Sequence, residues 1–251
     1  MTLASFTIEH PYRTSFWFLL IVVGVVVATG IINERFLTGS LVQSAIVDLV
    51  LAVIGICLLI RLDWWGKAGY TTGVRLAYVP LFILPSAIAL LSLSEGIRVT
   101  APLAIIAFAA LTLVVGFAEE TWFRGLILTT LLPTGTIRAV IMSSFFFAAP
   151  HLLNMIGGTW DPSFTLVDSV AAFGLGITFA AIRLRTGSIW PLVGIHALFD
   201  FTSLISLGGV NVPAQSPQVL LTSVFIGILF VGYGLFLLRN ERKGGKSVTN
   251  A

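Results

Sequence analysis

Runs of apolar residues long enough to cross about 30 Å of hydrocarbon as helix constrain this chain more than any other feature, because about 18 such residues in a row read as a transmembrane span. They fall at 15–32, 41–60, 76–94, 101–132, 138–155, 166–182, 188–208 and 218–238. The breaks between them carry turn or polar signals such as NERFLTGS, RLDWWGKAGYTTGVR, SEGIRV, PTGTIR, GGTWDPS, RLRTGS and GGVNVPAQSPQ. None of these breaks is long enough to form a soluble domain. The expectation is an all-α, polytopic membrane helix bundle of about eight transmembrane helices, a single membrane-embedded domain over 1–251. Composition agrees: 57% of residues are hydrophobic and 10% charged, where soluble domains carry about 25% charged.

The lone cysteine, Cys57, lies in an apolar run and excludes a disulfide framework or a cysteine metal cluster. The net charge of +3 is not arranged as a basic stripe interleaved with aromatics, so nucleic acid is not an expected partner. Topology accounts for it better. With a cytoplasmic N-terminus and eight alternating spans, only Arg35 and Arg98 fall outside. Arg13, Arg61, Lys67, Arg75, Arg138, Arg183, Arg185, Arg239, Arg242, Lys243 and Lys246 fall inside, as the positive-inside rule requires. Both termini are therefore expected in the cytoplasm, and the first span is expected to stay as a signal anchor, since ATG is a poor cleavage site.

Against this background FAEETWFRG, residues 117–125, stands out. An ionisable side chain at the centre of a bilayer costs about 2.5–3.5 kcal/mol on insertion scales, so carboxylates there are functional-site candidates by default. A neutral pair explains part of the motif: Glu120 and Arg124 are spaced i,i+4 on one helix face. Glu119, turned about 100° away, is left unexplained by that pair. The apolar continuation GLILTTLLP argues that the charges lie within one long helix rather than at its wetted end. Arg124 is then expected to hold Glu120 in place and leave Glu119 free for chemistry.

Of the three histidines, His10 sits in the interfacial segment IEHPYR, whereas His151 and His196 lie in separate apolar spans. Asp200 follows His196 by four residues and shares its helix face. Two histidines, Asp200 and the glutamate pair, on three helices, suit general acid–base or metal–water chemistry. From the assumed helix starts, His196 lies about 12 Å and His151 about 20 Å along its helix, so the two meet only with a tilt, a later start or a cavity.

Three motifs in order, Glu119-Glu120-Thr121-Trp122-Phe123-Arg124, Phe147-Ala148-Ala149-Pro150-His151 and His196-Ala197-Leu198-Phe199-Asp200, resemble those of the CPBP intramembrane proteases. That family includes the type II CAAX prenyl endopeptidases and bacteriocin-processing or immunity-related enzymes. The resemblance covers about residues 100–205, and Asp200 stands where the family often has Asn. It implies a membrane endopeptidase in which Glu119 and His151 activate a water while His196 and the residue at 200 stabilise the oxyanion. Unprotonated Asp200 donates no hydrogen bond, so it is expected instead to orient His196 or to assist a metal. Glu119, His151 and His196 are the ligands expected for a divalent ion such as zinc, although the His-Glu-x-x-His spacing is missing. Trp122, Phe123 and Phe147 are the aromatics available to line a substrate groove, with helix packing the stronger expectation for such rings.

The expected partners are a peptide or membrane-protein substrate, prenylated or not, and the lipid bilayer. Serine intramembrane proteolysis lacks its Gly-x-Ser-Gly element, and Asp48 and Asp168 lack the Tyr-Asp and Gly-x-Gly-Asp contexts of aspartyl intramembrane proteases. Two alternatives are a proton- or cation-coupled transporter, which predicts paired repeats the chain does not display, and a non-catalytic membrane scaffold or immunity protein.

Overall fold

The computed structural model describes residues 7, 9–36, 40–155, 161–208 and 216–243. The expected breaks at 37–39, 156–160 and 209–215, and the tail with Lys246, lie outside the described residues. Nine helices are used as landmarks: α1 Pro11–Phe36, α2 Ser40–Leu62, α3 Pro80–Leu91, α4 Pro102–Glu120, α5 Leu128–Leu131, α6 Thr136–Ala148, α7 Pro162–Thr186, α8 Trp190–Leu207 and α9 Pro217–Lys243. The described residues are helical with loops and contain no strand, so the chain is an all-α polytopic bundle.

Among the described residues, seven helical stretches are long and apolar enough to cross a membrane. The exception is the expected span 76–94, where the apolar helix runs only from Pro80 to Ser94. Proline explains its length: Pro80 sits at its start, Pro85 interrupts its interior, and Gly96 at φ +93° turns the chain away after Glu95. The long span 101–132 also differs from a uniform helix. α4 passes at Thr121 into a π-helical segment, Thr121–Ile127, closed by a bond from Leu128 N–H to Phe123 O five residues back. α5 and a 3-10 turn, Leu132–Thr134, complete it. α6 likewise gives way to a 3-10 stretch, Ala149–Met155, beside Pro150, and this stretch carries His151.

Small residues set how closely the helices approach, as expected where lipid removes the hydrophobic drive between them. α7 and α9 meet through Gly174 and Gly227, where a Cβ on Gly174 would stand 2.3 Å from the Gly227 carbonyl oxygen. α4 and α8 meet through Gly116, whose absent Cβ would stand 2.7 Å from Val193 O and 3.4 Å from the His196 Cβ. This second contact brings Glu120 and His196 within bonding distance.

The loop after α2 folds back onto the bundle. Ile189 N–H donates to Gly69 O, Trp190 Nε1 to Tyr70 O, and the Arg183 guanidinium to Ala68 O and Lys67 O. Gly69 combines φ +87° with a guanidinium only 2.5 Å from where a Cβ would lie, so glycine is required on both counts. The Tyr70 hydroxyl pairs with the Thr121 hydroxyl one residue past the glutamates. Burial pushes the Tyr70 phenol above its ordinary value, so this contact stays uncharged.

Candidate active site

The charged motif lies at the junction of α4 and the π segment and is built around Glu120. Its side chain is fully buried, and Oε1 accepts from Arg124 Nη1 at 2.8 Å and from His196 Nδ1 at 2.8 Å. Arg124, equally buried, stacks its guanidinium over the rings of Phe147 at 4.1 Å and Phe179 at 5.3 Å. Glu120 Oε2 and Arg124 Nη2 have no hydrogen-bond partner. An ion pair, one hydrogen bond and two aromatic faces therefore lock Arg124 and Glu120 into the core.

With a carboxylate on Nδ1, the His196 ring donates from that atom and turns Nε2 the other way. Nε2 faces Glu119 Oε2 at 3.6 Å and Asp200 Oδ2 at 3.7 Å, too long for direct hydrogen bonds and suited to a bridging water. Asp200 thus shares a face with His196 as its i,i+4 spacing predicts, but the residue orienting the ring is Glu120. Glu119 makes no ion pair with Arg124; its side chain is 28% exposed, against 0% for Glu120. Adjacent residues of one sequence motif thereby occupy opposite environments, one packed and one open.

His151 meets the cluster from the 3-10 stretch after α6. The Phe147 ring lies edge-on to both imidazoles, 5.6 Å from His151 and 5.9 Å from His196. This resolves the unequal depths read from the sequence, because the break of α6 into 3-10 geometry turns His151 toward the same ring that His196 touches. Among the described contacts His151 forms no ion pair with Glu119. Its Nδ1 instead pairs with Asp168 Oδ2 on α7 at 2.9 Å.

Two carboxylates escape the sequence reading of the site. Asp168 holds His151, and Asp48 on α2 is buried within electrostatic range of Glu119, Asp200 and His196. The signal for both is present: each is a carboxylate inside an apolar span, the same criterion that singles out Glu119. Neither stands in a sequence motif, and motif spacing is what the sequence reading follows.

The aromatics read as groove candidates pack the interior. Trp122 is fully buried, donates from Nε1 to Leu51 O at 2.9 Å and meets Phe18 edge-on, tying the π segment to α1 and α2. Phe123 and Phe147 are buried against each other, ring centroids 5.2 Å apart. Their positions inside the π segment and on the inner face of α6 direct them to the core, so none of the three lines an open groove. An apolar cleft of about 300 Å³ does open nearby, between α6 and α7, and Phe145, Leu152, Leu166 and Phe173 are among its walls.

The donor set does not fit a metal ion as arranged. Among the described residues no group of three or more His, Cys, Asp or Glu side chains could hold one. Both histidines give Nδ1 to carboxylates and keep Nε2 as the nitrogen open to a ligand or water, but the expected ligands Glu119, His151 and His196 do not make up such a group.

Fold and site together define a multi-pass integral membrane protein whose interior gathers carboxylates and two imidazoles from α4, the turn after α6, α7 and α8. Residues 101–202, which contain all three motifs, match the family model described as type II CAAX prenyl endopeptidase Rce1-like. No curated protein and no solved structure matches the chain.

Proposed function

We propose that the protein is an intramembrane endopeptidase that hydrolyses a peptide bond with a water activated by Glu119 and His151. The observation that carries this reading is the division between the two glutamates: Glu120 is consumed by Arg124 and His196, while Glu119 is open and stands 3.6 Å from the free edge of the His196 ring. Glu119 takes one proton from the water as its oxygen attacks the scissile carbonyl carbon, and the bare Nε2 of His151 accepts the other O–H and orients the lone pair. The electrons of the carbonyl π bond move to oxygen, and His196, as an imidazolium, donates from Nε2 to that oxyanion while Glu120 holds Nδ1. On collapse the C–N bond breaks and the proton held by Glu119 passes to the leaving amine. The products are one new carboxyl and one new amino terminus.

Asp200 borders the same water and limits its movement; no step passes through a metal. The family description supports a CAAX-type peptide as the substrate class, with a peptide or membrane-protein segment presented from the bilayer. The Lys and Arg distribution supports cytoplasmic termini, with α3 counted as a crossing although it is short; a reporter fused after Ala251 that reads external overturns that orientation. The deciding experiment is incubation of purified protein in nanodiscs with prenylated and unprenylated CAAX peptides, beside Glu119→Gln. Cleavage by the parent that is lost in the variant is expected. Cleavage that survives in Glu119→Gln removes Glu119 from the mechanism, and a parent that cleaves none of the peptides returns the transporter reading to the front.

A further inference from the structure

An imidazole can present a bare nitrogen to water only if its proton is held on the other nitrogen, and in His151 that other nitrogen is not left to chance. Nδ1 lies 2.9 Å from Asp168 Oδ2, a pairing that joins two helical elements seventeen residues apart in the chain. No arginine or lysine forms an ion pair with Asp168 among the described residues, so the imidazole is its only ion-pair partner there. The two side chains are 29% and 30% exposed, open enough to exchange with the water that the reaction consumes. Phe147 packs edge-on against the His151 ring at 5.6 Å, so the ring is held by an aromatic contact and by a hydrogen bond at Nδ1.

We infer that Asp168 is a positioning residue of the hydrolytic site: it holds the proton of His151 on Nδ1 and keeps Nε2 bare toward the water shared with Glu119. The inference rests on the hydrolytic reading above. A carboxylate accepts and does not donate, so its neighbour Nδ1 carries the proton, and Nε2, on the opposite side of the ring, points away from Asp168. Glu119 and His196 lie within electrostatic range of the same ring. A carboxylate within an apolar span is costly to place there, which makes Asp168 a functional-site candidate by default. Asp168 stands in none of the three motifs and acts through His151 without touching the scissile bond.

The test uses the full chain in nanodiscs, with parent, His151→Ala, Asp168→Asn and Asp168→Ala compared by steady-state hydrolysis and by ¹⁵N-histidine NMR. The His151 resonances are assigned by their loss in His151→Ala. The parent is expected to show a protonated Nδ1 and a bare Nε2 at His151. A side-chain amide in place of the Asp168 carboxylate can donate to Nδ1, so Asp168→Asn is expected to shift the proton to Nε2 and to lower kcat by about 10–100-fold with KM little changed, the size of effect that orienting partners of functional histidines have elsewhere. Loss of activity in His151→Ala with parental kcat in both Asp168 variants overturns the positioning role and leaves the hydrolytic reading standing. A bare Nδ1 or a protonated Nε2 in the resting parent overturns it without any substrate or variant. Full activity in His151→Ala removes both readings together.

Discussion

Replacing Glu120 by Gln separates packing from chemistry at this site. The Glu120 carboxylate is fully enclosed and accepts from two donors, one the guanidinium of Arg124, itself only 1% exposed. Removing one partner of a buried ion pair costs about 3–5 kcal/mol, because the remaining charge stays out of water. Gln keeps an acceptor at the Oε1 position, and its amide falls where Oε2 already lacks a partner, so the lower end, about 3 kcal/mol, is expected. For a chain of this length that corresponds to a fall in Tm of roughly 6–12 °C. Glu119→Gln alters an open side chain whose His196 contact is 3.6 Å long, and its Tm should move by no more than about 2 °C while turnover disappears. Differential scanning fluorimetry in one detergent, paired with peptide hydrolysis, reads both quantities. Equal Tm shifts in the two variants would refute the division of labour between the glutamates, whatever the activities.

His151→Ala and His196→Ala should each nearly abolish hydrolysis, and the double variant should be little slower than the poorer single one, because groups acting on one bond as a unit are not additive; His10→Ala, at an exposed position, should match the parent in the same assay. Gly116→Ala places a Cβ 2.7 Å from Val193 O and should cost about 1–3 kcal/mol by forcing α4 and α8 apart, read as a lower Tm with reduced kcat; a melting curve superimposable on the parent's contradicts the close approach. Asp161 caps α7 by accepting from Ser163 N–H and Phe164 N–H, so Asp161→Ala should cost about 1 kcal/mol in a thermal melt without changing KM. Treatment with a zinc chelator should leave hydrolysis unchanged, and activity that is lost and then restored by added divalent ion would show that the described donors rearrange to take a metal.

Hydropathy and helical period are local properties, and they sufficed for the membrane, the helix bundle and most span positions. They also sufficed for the Glu120–Arg124 pair, since residues four apart on one helix must be neighbours, and for placing Asp200 on the face of His196. The three motifs pointed to the family whose model matches residues 101–202, because their residue types and spacing are written along the chain. What the sequence left open depended on contacts between elements. Glu120 and His196 are 76 residues apart, and only the close passage of α4 and α8 at Gly116 assigns Nδ1 to Glu120 and turns Nε2 toward Glu119 and Asp200. Asp168 and Asp48 read as isolated carboxylates until α7 and α2 packed against the motif helices. The π segment was equally hidden, because TWFRGLI reads as ordinary helix and its widened turn goes with contacts to Leu51 and Tyr70 elsewhere in the fold. The sequence by itself therefore determined which chemical groups enter the membrane. Only the tertiary structure decided which atom of each group faces which partner, because side-chain direction follows from interhelical packing that no single segment encodes.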